Sequence, residues 1–325
     1  MGELKAFPIK LFKGVKSRFQ RLSSIARERR QVFVAAMIVR SFARFRRSFP
    51  QAWNHLVANV IESDLQLPVL FADEFGSRFL VYPSDGVMEM LLREGSPIDC
   101  LKSLRFIQRN LGPGAIAVDV GANIGAHTLL CARQVSSQGR VFSLEPESRN
   151  FARLLENLSI NQVECVTAIR SAVCSAEGTV QLHVFGAEAY GQHSLGIPQG
   201  LPPRDFIKSS VAAVTLDGLA SQYGLDRIDL LKVDVEGAEL EVFKGAKKLF
   251  LEKRIGCLVF EVSVPMLKGM GVETSMLFDF LHQHDYKTYQ ILDDGSIGAE
   301  IQNSSAIYDN YAALPLGGSL HKIPR

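Results

Sequence analysis

The stretch that most constrains this chain lies between residues 115 and 146. Ala115-Ile116-Ala117-Val118-Asp119-Val120 is a run of small and branched apolar residues around one acid. It lacks the polar alternation of a half-solvated strand, so it predicts a strand buried on both faces, as a parallel sheet requires. Gly121 and Gly125 break the run, and from Ile124 to Ala132 the apolar spacing becomes helical. Arg140-Val141-Phe142-Ser143-Leu144 then forms a second strand that stops at Glu145-Pro146. Strand, glycine turn, helix and a strand ending in an acid make half of a nucleotide-binding βαβ unit.

The turn also says which nucleotide fits. A dinucleotide fingerprint is Gly-x-Gly-x-x-Gly, whose second glycine lets the backbone touch a pyrophosphate. Asn123 stands where that glycine would be, and Ala126 where the third would be. Glu145 falls where a carboxylate grips a ribose diol, roughly twenty residues beyond the turn. A ribose-binding acid without a pyrophosphate cradle suits a nucleoside without phosphate, of which S-adenosyl-L-methionine is the common one. The candidate cofactor-binding residues here are Gly121, Ala122, Asn123, Gly125 and Glu145. Asn123 speaks equally against a nicotinamide oxidoreductase.

Composition sets the outer limits. The 325 residues, 47% hydrophobic and 22% charged, suffice for a full core and one large or two small domains. The five cysteines contain no Cys-x-x-Cys pair, which argues for reduced thiols in a cytoplasmic setting and against a zinc site. The net charge of +2 is unevenly spread: residues 1–60 hold 13 of the 36 lysines and arginines but only Glu3 and Glu28 as acids. That segment reads as a basic helical N-terminal extension, with Val15, Phe19, Leu22 and Ala26 on one stripe and Ile38, Phe42, Phe45 and Phe49 on another. A basic amphipathic helix of this kind suits peripheral contact with an anionic membrane, an organelle-targeting peptide, or a solvated helix packed on the body. The apolar run 32–39 is too short to span a bilayer. The rest of the chain is net acidic and carries no aromatic motif next to a carboxylate for holding a flipped base, so a nucleic-acid partner is disfavoured.

Around the nucleotide unit the chain divides into three expected parts: 1–60 the extension, 61–114 a hairpin and helices leading into the core, and 115–325 the cofactor-binding catalytic domain. Two apolar runs flank Asp73-Glu74-Phe75-Gly76-Ser77 as a hairpin, and a helix opening at Ser96-Pro97 ends at Gly112-Pro113-Gly114. A third strand over 163–169 leads to Ala172 and Ser175, where a doubly wound sheet passes its adenine. Residues 179–185 alternate like an additional strand, and 186–210 read as one long aperiodic loop, a lid or substrate loop, containing His193. Strands over 228–234 and 257–262 follow, the second ending in an acid, and two antiparallel strands over 286–292 and 306–314 finish the sheet.

The strand over 228–234 runs into Asp234-Val235-Glu236-Gly237-Ala238-Glu239. Three carboxylates at the carboxyl end of a central strand repel one another, and that edge is where open α/β sheets bind ligands. Glu239 also reads as a helix N-terminal acid, whereas Asp234 still belongs to the strand.

Val118-Asp119-Val120-Gly121-Ala122-Asn123-Ile124-Gly125, Glu145-Pro146, Val214-Thr215-Leu216-Asp217 and Leu231-Lys232-Val233-Asp234-Val235-Glu236-Gly237-Ala238-Glu239 together resemble the FkbM family of S-adenosylmethionine-dependent methyltransferases. The resemblance covers residues 67–315, and the Asp234 block is its most specific part. It implies a class I methyltransferase (Rossmann-like) α/β fold, a mostly parallel seven-strand sheet with helices on both faces. It implies O-methylation of a sugar, glycolipid or natural-product hydroxyl. By motif, Asp119, Gly121, Asn123 and Glu145 would bind the cofactor, while Asp234 and Glu236 would face the acceptor. The family often has Asp where this chain has Ser175, and Ser where it has His193.

A hydroxyl needs a group to take its proton, or a metal to lower its pKa. Asp234 is the first candidate base, Glu236 the second, and His193 a third. Asp234 with Glu261 could instead ligate a divalent cation such as Mg²⁺. The rival class is a non-catalytic membrane scaffold on a methyltransferase body, against which the intact Glu145 and Asp234 count.

Overall fold

The computed structural model describes residues 68–82, 101–186, 193–202 and 205–318. The basic extension, Cys100, and the start of the helix expected at Ser96-Pro97 lie outside them. The chain separates into two units, residues 1–73 with 78–97 and residues 74–77 with 98–325. In the first, β1 (Val69–Ala72) and β2 (Arg78–Val81) pair antiparallel as the expected hairpin, Leu70 opposite Leu80 and Phe71 opposite Phe79. No helix among the described residues is long and apolar enough to cross a membrane.

The second unit begins with α1 (Leu101–Asn110), whose Leu104, Phe106 and Ile107 are buried. The chain then alternates through β3 (Ile116–Val120), α2 (Ala126–Val135), β4 (Arg140–Leu144), α3 (Ser148–Ile160) and β5 (Val166–Ile169). A side sheet follows, built from β6 (Ala172–Val173), β7 (Gly178–Phe185) and β8 (Phe206–Val214). Next come α4 (Leu216–Tyr223), β9 (Leu230–Val233), α5 (Glu239–Lys244), α6 (Lys247–Leu251), β10 (Leu258–Ser263), α7 (Val264–Gly269) and α8 (Thr274–Gln283). The chain closes with β11 (Tyr286–Ile291), β12 (Ile297–Ile301) and β13 (Tyr308–Pro315).

The main sheet has the order β12-β11-β13-β10-β9-β3-β4-β5. The five strands from β10 to β5 run parallel, and β13, β11 and β12 join them antiparallel. This is the class I methyltransferase architecture, with eight strands where seven were expected. The extra edge strand is β12, folded back on β11 by a turn in which Asp294 Oδ1 accepts from Ser296 N at 2.9 Å and Gly295 takes φ +80°. Its sequence, Ile297-Gly298-Ala299-Glu300-Ile301, offers a weak alternation and a glycine, so nothing marked it as a strand.

Two further expectations need correction. The loop expected over 186–210 ends at 205, because β8 begins at Phe206 and pairs with β7 without a break from Phe185↔Phe206 to Gly178↔Ala213. Lys208, Ser209 and Ser210 face largely outward, and a polar strand face reads as loop in sequence. Glu261 lies inside β10 instead of closing it.

Alternate residues of each strand point to opposite faces, and the two faces differ here. Val118, Val120, Leu231, Val233, Phe260 and Tyr311 enter one apolar core with Leu216, Phe243, Phe250, Phe278 and Leu281 from the helices. Their rings pack edge to face, Phe243 on Phe260 with centroids 5.8 Å apart and Phe250 on Tyr286 at 5.1 Å. Each such ring contributes roughly 1.5–3 kcal/mol on burial. The opposite face, under α2, carries Asp119 and Lys232.

Strands β3 and β9 meet at that edge under a tight constraint. Gly121 has φ +80°, and a Cβ on it would lie 1.7 Å from the carbonyl oxygen of Asp234. Asp234 N donates to Val120 O at 3.0 Å, one ladder step beyond the end of β9. We therefore expect Gly121→Ala to lower stability by at least about 1–3 kcal/mol, the order of a strained backbone conformation. Urea unfolding checks this, and an unchanged midpoint would show that the two strand ends can part freely.

Candidate functional site

The glycine turn is fixed mostly by backbone. Gly121 N and Ala122 N both donate to Leu144 O at 3.0 Å, and Gly125 N donates to Ala122 O at 2.8 Å. Asn123 adopts the left-handed conformation with φ +51°, which asparagine tolerates better than most residues. Asn157 Nδ2 ties Ile124 O from α3 at 2.9 Å.

Glu145 sits behind this turn, 5% exposed. Its Oε2 accepts from Asn123 N and its Oε1 from Glu147 N, each at 2.8 Å. Burial pushes its pKa up to about 7 despite those two bonds. Each carboxylate oxygen can accept a second bond, so the group is held by the turn yet keeps capacity for a ligand diol. Glu147 caps α3 by accepting from Asn150 N at 2.7 Å.

Asp119 is fully buried and reaches no solvent. Its Oδ2 accepts from Thr128 Oγ1 at 2.6 Å, and its Oδ1 lies 3.9 Å from Lys232 Nζ. Burial raises its pKa, and the Lys232 charge opposes the rise. Lys232 itself is 2% exposed and its Nζ lies 2.8 Å from Asp234 Oδ2. The sequence shows this lysine as the lone base in an apolar strand, a signal that could have marked it as a site residue.

Beyond β9, Glu239 Oε1 accepts from Val235 N and Gly237 N, both at 3.2 Å, and so ties down its own turn. Gly237 has φ +101°, and a Cβ there would lie 2.4 Å from Met266 O. Burial pushes the Glu239 pKa up to about 7. One carboxylate oxygen from each of Asp234, Glu236 and Glu261 lies within 4.8 Å of the others. Glu261 is buried, and its Oε1 accepts from Tyr308 OH at 2.6 Å. Burial first, and then the charges of Asp234 and Glu236, hold its pKa well above the usual carboxylate range. Three oxygen donors within this spacing could hold a hard divalent cation.

His193 stands apart from the three acids in its bonding. Its Nδ1 accepts from Phe185 N at 3.3 Å, and burial lowers its pKa. The segment it opens does reach the site: Ser194 Oγ donates to Glu236 O at 2.5 Å, and Gln199 N to Pro265 O at 3.0 Å. Ala172 is buried beside Cys174 and Ala213 in the side sheet, while the Ser175 hydroxyl donates to Glu241 on α5. A separate open cleft of about 520 Å³ lies at the amino ends of β4 and β5, lined by Arg133, Ser136, Asn161, Glu164 and Cys165 among others. It contains none of the expected site residues.

The parallel sheet, the glycine turn with Glu145 behind it, and the acids at the end of β9 define a Rossmann-like methyltransferase domain. The profile of the methyltransferase FkbM domain matches residues 119–288, just over half of the chain, and the chain belongs to that family. Hexuronic acid methyltransferase AglP of Haloferax volcanii is 32% identical over 127 residues, 39% of this chain and 48% of the relative. Methyltransferase sdnD of Sordaria araneosa is 33% identical over 163 residues, covering 42% and 62%. The 2-O-methyltransferase NoeI of Sinorhizobium fredii is 26% identical over 152 residues, covering 44% and 61%. The chain thus spans about half to three fifths of the length of these relatives. The crystal structure of methyltransferase FkbM from Methylobacillus flagellatus KT superposes with a TM-score of 0.38 at 15% identity, over 84% of this chain and 60% of that one.

The raised pKa of Glu239 has a stability consequence of definite sign. Its folded value of about 7 exceeds the ordinary 4.5, so its stabilising contribution is complete below pH 4.5 and is lost as pH rises through 7. Relative to the parent, Glu239→Gln should therefore gain stability as pH rises from about 4.5 to about 7, by up to about 1.4 kcal/mol per pH unit, and hold that gain above 7. Urea titrations of both proteins across that range measure the difference. A difference independent of pH would mean that Glu239 ionises normally in the fold.

Proposed function

We propose that the protein transfers the methyl group of S-adenosylmethionine to a hydroxyl oxygen of a sugar, a glycolipid or a natural product. One observation carries this reading: a buried ribose-type acid, Glu145, is clamped to a glycine turn whose first residue abuts Asp234. A nucleoside site and an acceptor-side carboxylate are thereby brought to one edge of the sheet. The family membership supports the same reading, as do two relatives whose names specify a hexuronic acid and a 2-O position.

The residues fit the cofactor. Glu145 keeps acceptor capacity for a ribose diol, and in the Gly121, Ala122, Asn123 and Gly125 turn the two glycines bring no side chain to the edge of the sheet. Bound there, S-adenosylmethionine supplies an electrophilic methyl carried on a sulfonium. Asp119 acts from beneath the turn, since it has no exposed surface. On the acceptor side, Asp234 takes the hydroxyl proton as oxygen attacks, with Glu236 next in line. Holding oxygen and methyl at near-attack distance contributes several kcal/mol of the barrier reduction.

The clustering of Asp234, Glu236 and Glu261 favours one alternative, in which a divalent cation such as Mg²⁺ bound there lowers the hydroxyl pKa. Chelation separates the two: loss of activity with EDTA and recovery with Mg²⁺ would support the cation.

The first measurement is isothermal titration with S-adenosylhomocysteine. One-to-one binding is expected, weakened by about 1–3 kcal/mol in Glu145→Ala. Because ribose donors need the carboxylate, affinity should also fall as pH drops below about 7, where apo Glu145 takes up a proton. Equal affinity in the variant would remove Glu145 from the site. The second is transfer of labelled methyl from S-adenosylmethionine to a panel that includes methyl glucuronide, methyl fucoside and octyl glucoside. On an accepted glycoside, Asp234→Asn should cut turnover by about 10²-fold or more while cofactor binding persists. Full activity in that variant would sink the role of Asp234 in both the base and the cation mechanisms.

A further inference from the structure

Lys232 has no role in the reading so far, yet it is one of the most expensive residues in the fold. It lies in β9, between β3 and β10, with 2% of its surface exposed. A buried ammonium costs several kcal/mol unless paired charges and hydrogen bonds offset it. Two acids flank it. Asp119 is its register partner on β3, with Oδ1 at 3.9 Å, and Asp234, two residues further along on the same face, has Oδ2 at 2.8 Å. Asp119 is anchored in turn by Thr128 on α2. A polar chain Thr128–Asp119–Lys232–Asp234 therefore runs beneath the glycine turn to the edge of the sheet.

The direction of the shorter bond is informative. A lysine present only to neutralise the fully buried Asp119 would bind Asp119 most closely. Here the hydrogen bond goes to Asp234, whose side chain is 21% exposed and open to hydration by water. The geometry points to Lys232 as the positioning residue for Asp234: its ammonium holds Oδ2 and leaves Oδ1 directed to the acceptor hydroxyl. This rests on the reading that Asp234 faces the acceptor. A partly exposed aspartate free to turn about its side-chain torsions would spend part of its time away from the attacking oxygen, and a fixed one would not.

The test compares crystal structures of the full-length parent and Lys232→Met without ligand, since methionine preserves length and removes charge. Asp234 should leave its parental orientation in the variant while the Gly121 turn stays in place. Affinity for S-adenosylhomocysteine should change less than about threefold. On an accepted panel glycoside, turnover number should fall about tenfold or more with acceptor KM within about threefold, and Lys232→Met with Asp234→Asn should be no slower than Asp234→Asn alone. Lys232→Met leaves Asp119 uncompensated, so Asp119→Asn with Lys232→Met, which removes both charges, is examined for the same orientation of Asp234. An Asp234 that keeps its place in either variant, or kinetic losses that multiply, would overturn the proposal. Failure of both variants to fold would do the same, leaving Lys232 a folding residue. Failure of the parent to bind S-adenosylhomocysteine would refute the methyltransferase reading while the displacement of Asp234 stayed readable.

Discussion

The backbone contact between Gly121 and Asp234 is the constraint on which the site depends. Two parallel strands adjacent in space but more than a hundred residues apart in sequence end at the same level. At the crossing the chains come so close that only a residue without Cβ fits. The left-handed conformation at Gly121 turns the chain back toward Glu145, and Glu145 locks the turn by accepting from Asn123 N. On the other side, Asp234 continues the ladder to Val120 before the chain turns at Glu236 and Gly237, both with positive φ. The Glu145 side and the Asp234 side of this edge are joined by backbone geometry, which side-chain drift cannot loosen.

Around this contact the fold concentrates buried acids to an extent that the apolar core would not tolerate. Asp119, Glu145, Glu239 and Glu261 are each 5% exposed or less. Their ionised forms are opposed by desolvation, and the offsets are local: backbone N–H groups for Glu145 and Glu239, a phenol for Glu261, and Lys232 for Asp119. None of these offsets is complete, which is why Glu145 and Glu239 titrate near 7 and Glu261 higher than usual. A site poised in this way gains most from ligands that donate hydrogen bonds or carry positive charge. A ribose diol, a sugar hydroxyl and a sulfonium all meet that description.

Much of this was legible in the sequence, for physical reasons that can be named. The strands β3, β4 and β9 are unbroken apolar runs because they are buried on both faces, and the change to helical spacing after Gly125 is sharp. Asp119, Gly121, Asn123, Glu145 and Asp234 stood out because polar or glycine residues interrupt such runs only at a cost. The edge strand β12 and the outer half of β8 were not legible, since both expose a polar face. Lys232 and Tyr308 escaped for another reason. The lysine is a lone base in a buried apolar strand, a signal the sequence did carry, but its partners, like those of a tyrosine near the end of the chain, are set only when β9 lies beside β3 and β13 beside β10, pairings of long sequence separation.

The account is tested most directly by a crystal structure with S-adenosylhomocysteine bound. It predicts the ribose hydroxyls within hydrogen-bond distance of the Glu145 carboxylate and the sulfur turned toward Asp234, with the ligand lying over Gly121. Ligand density elsewhere, for example in the cleft lined by Arg133, Asn161 and Glu164 at the amino ends of the strands, would contradict it.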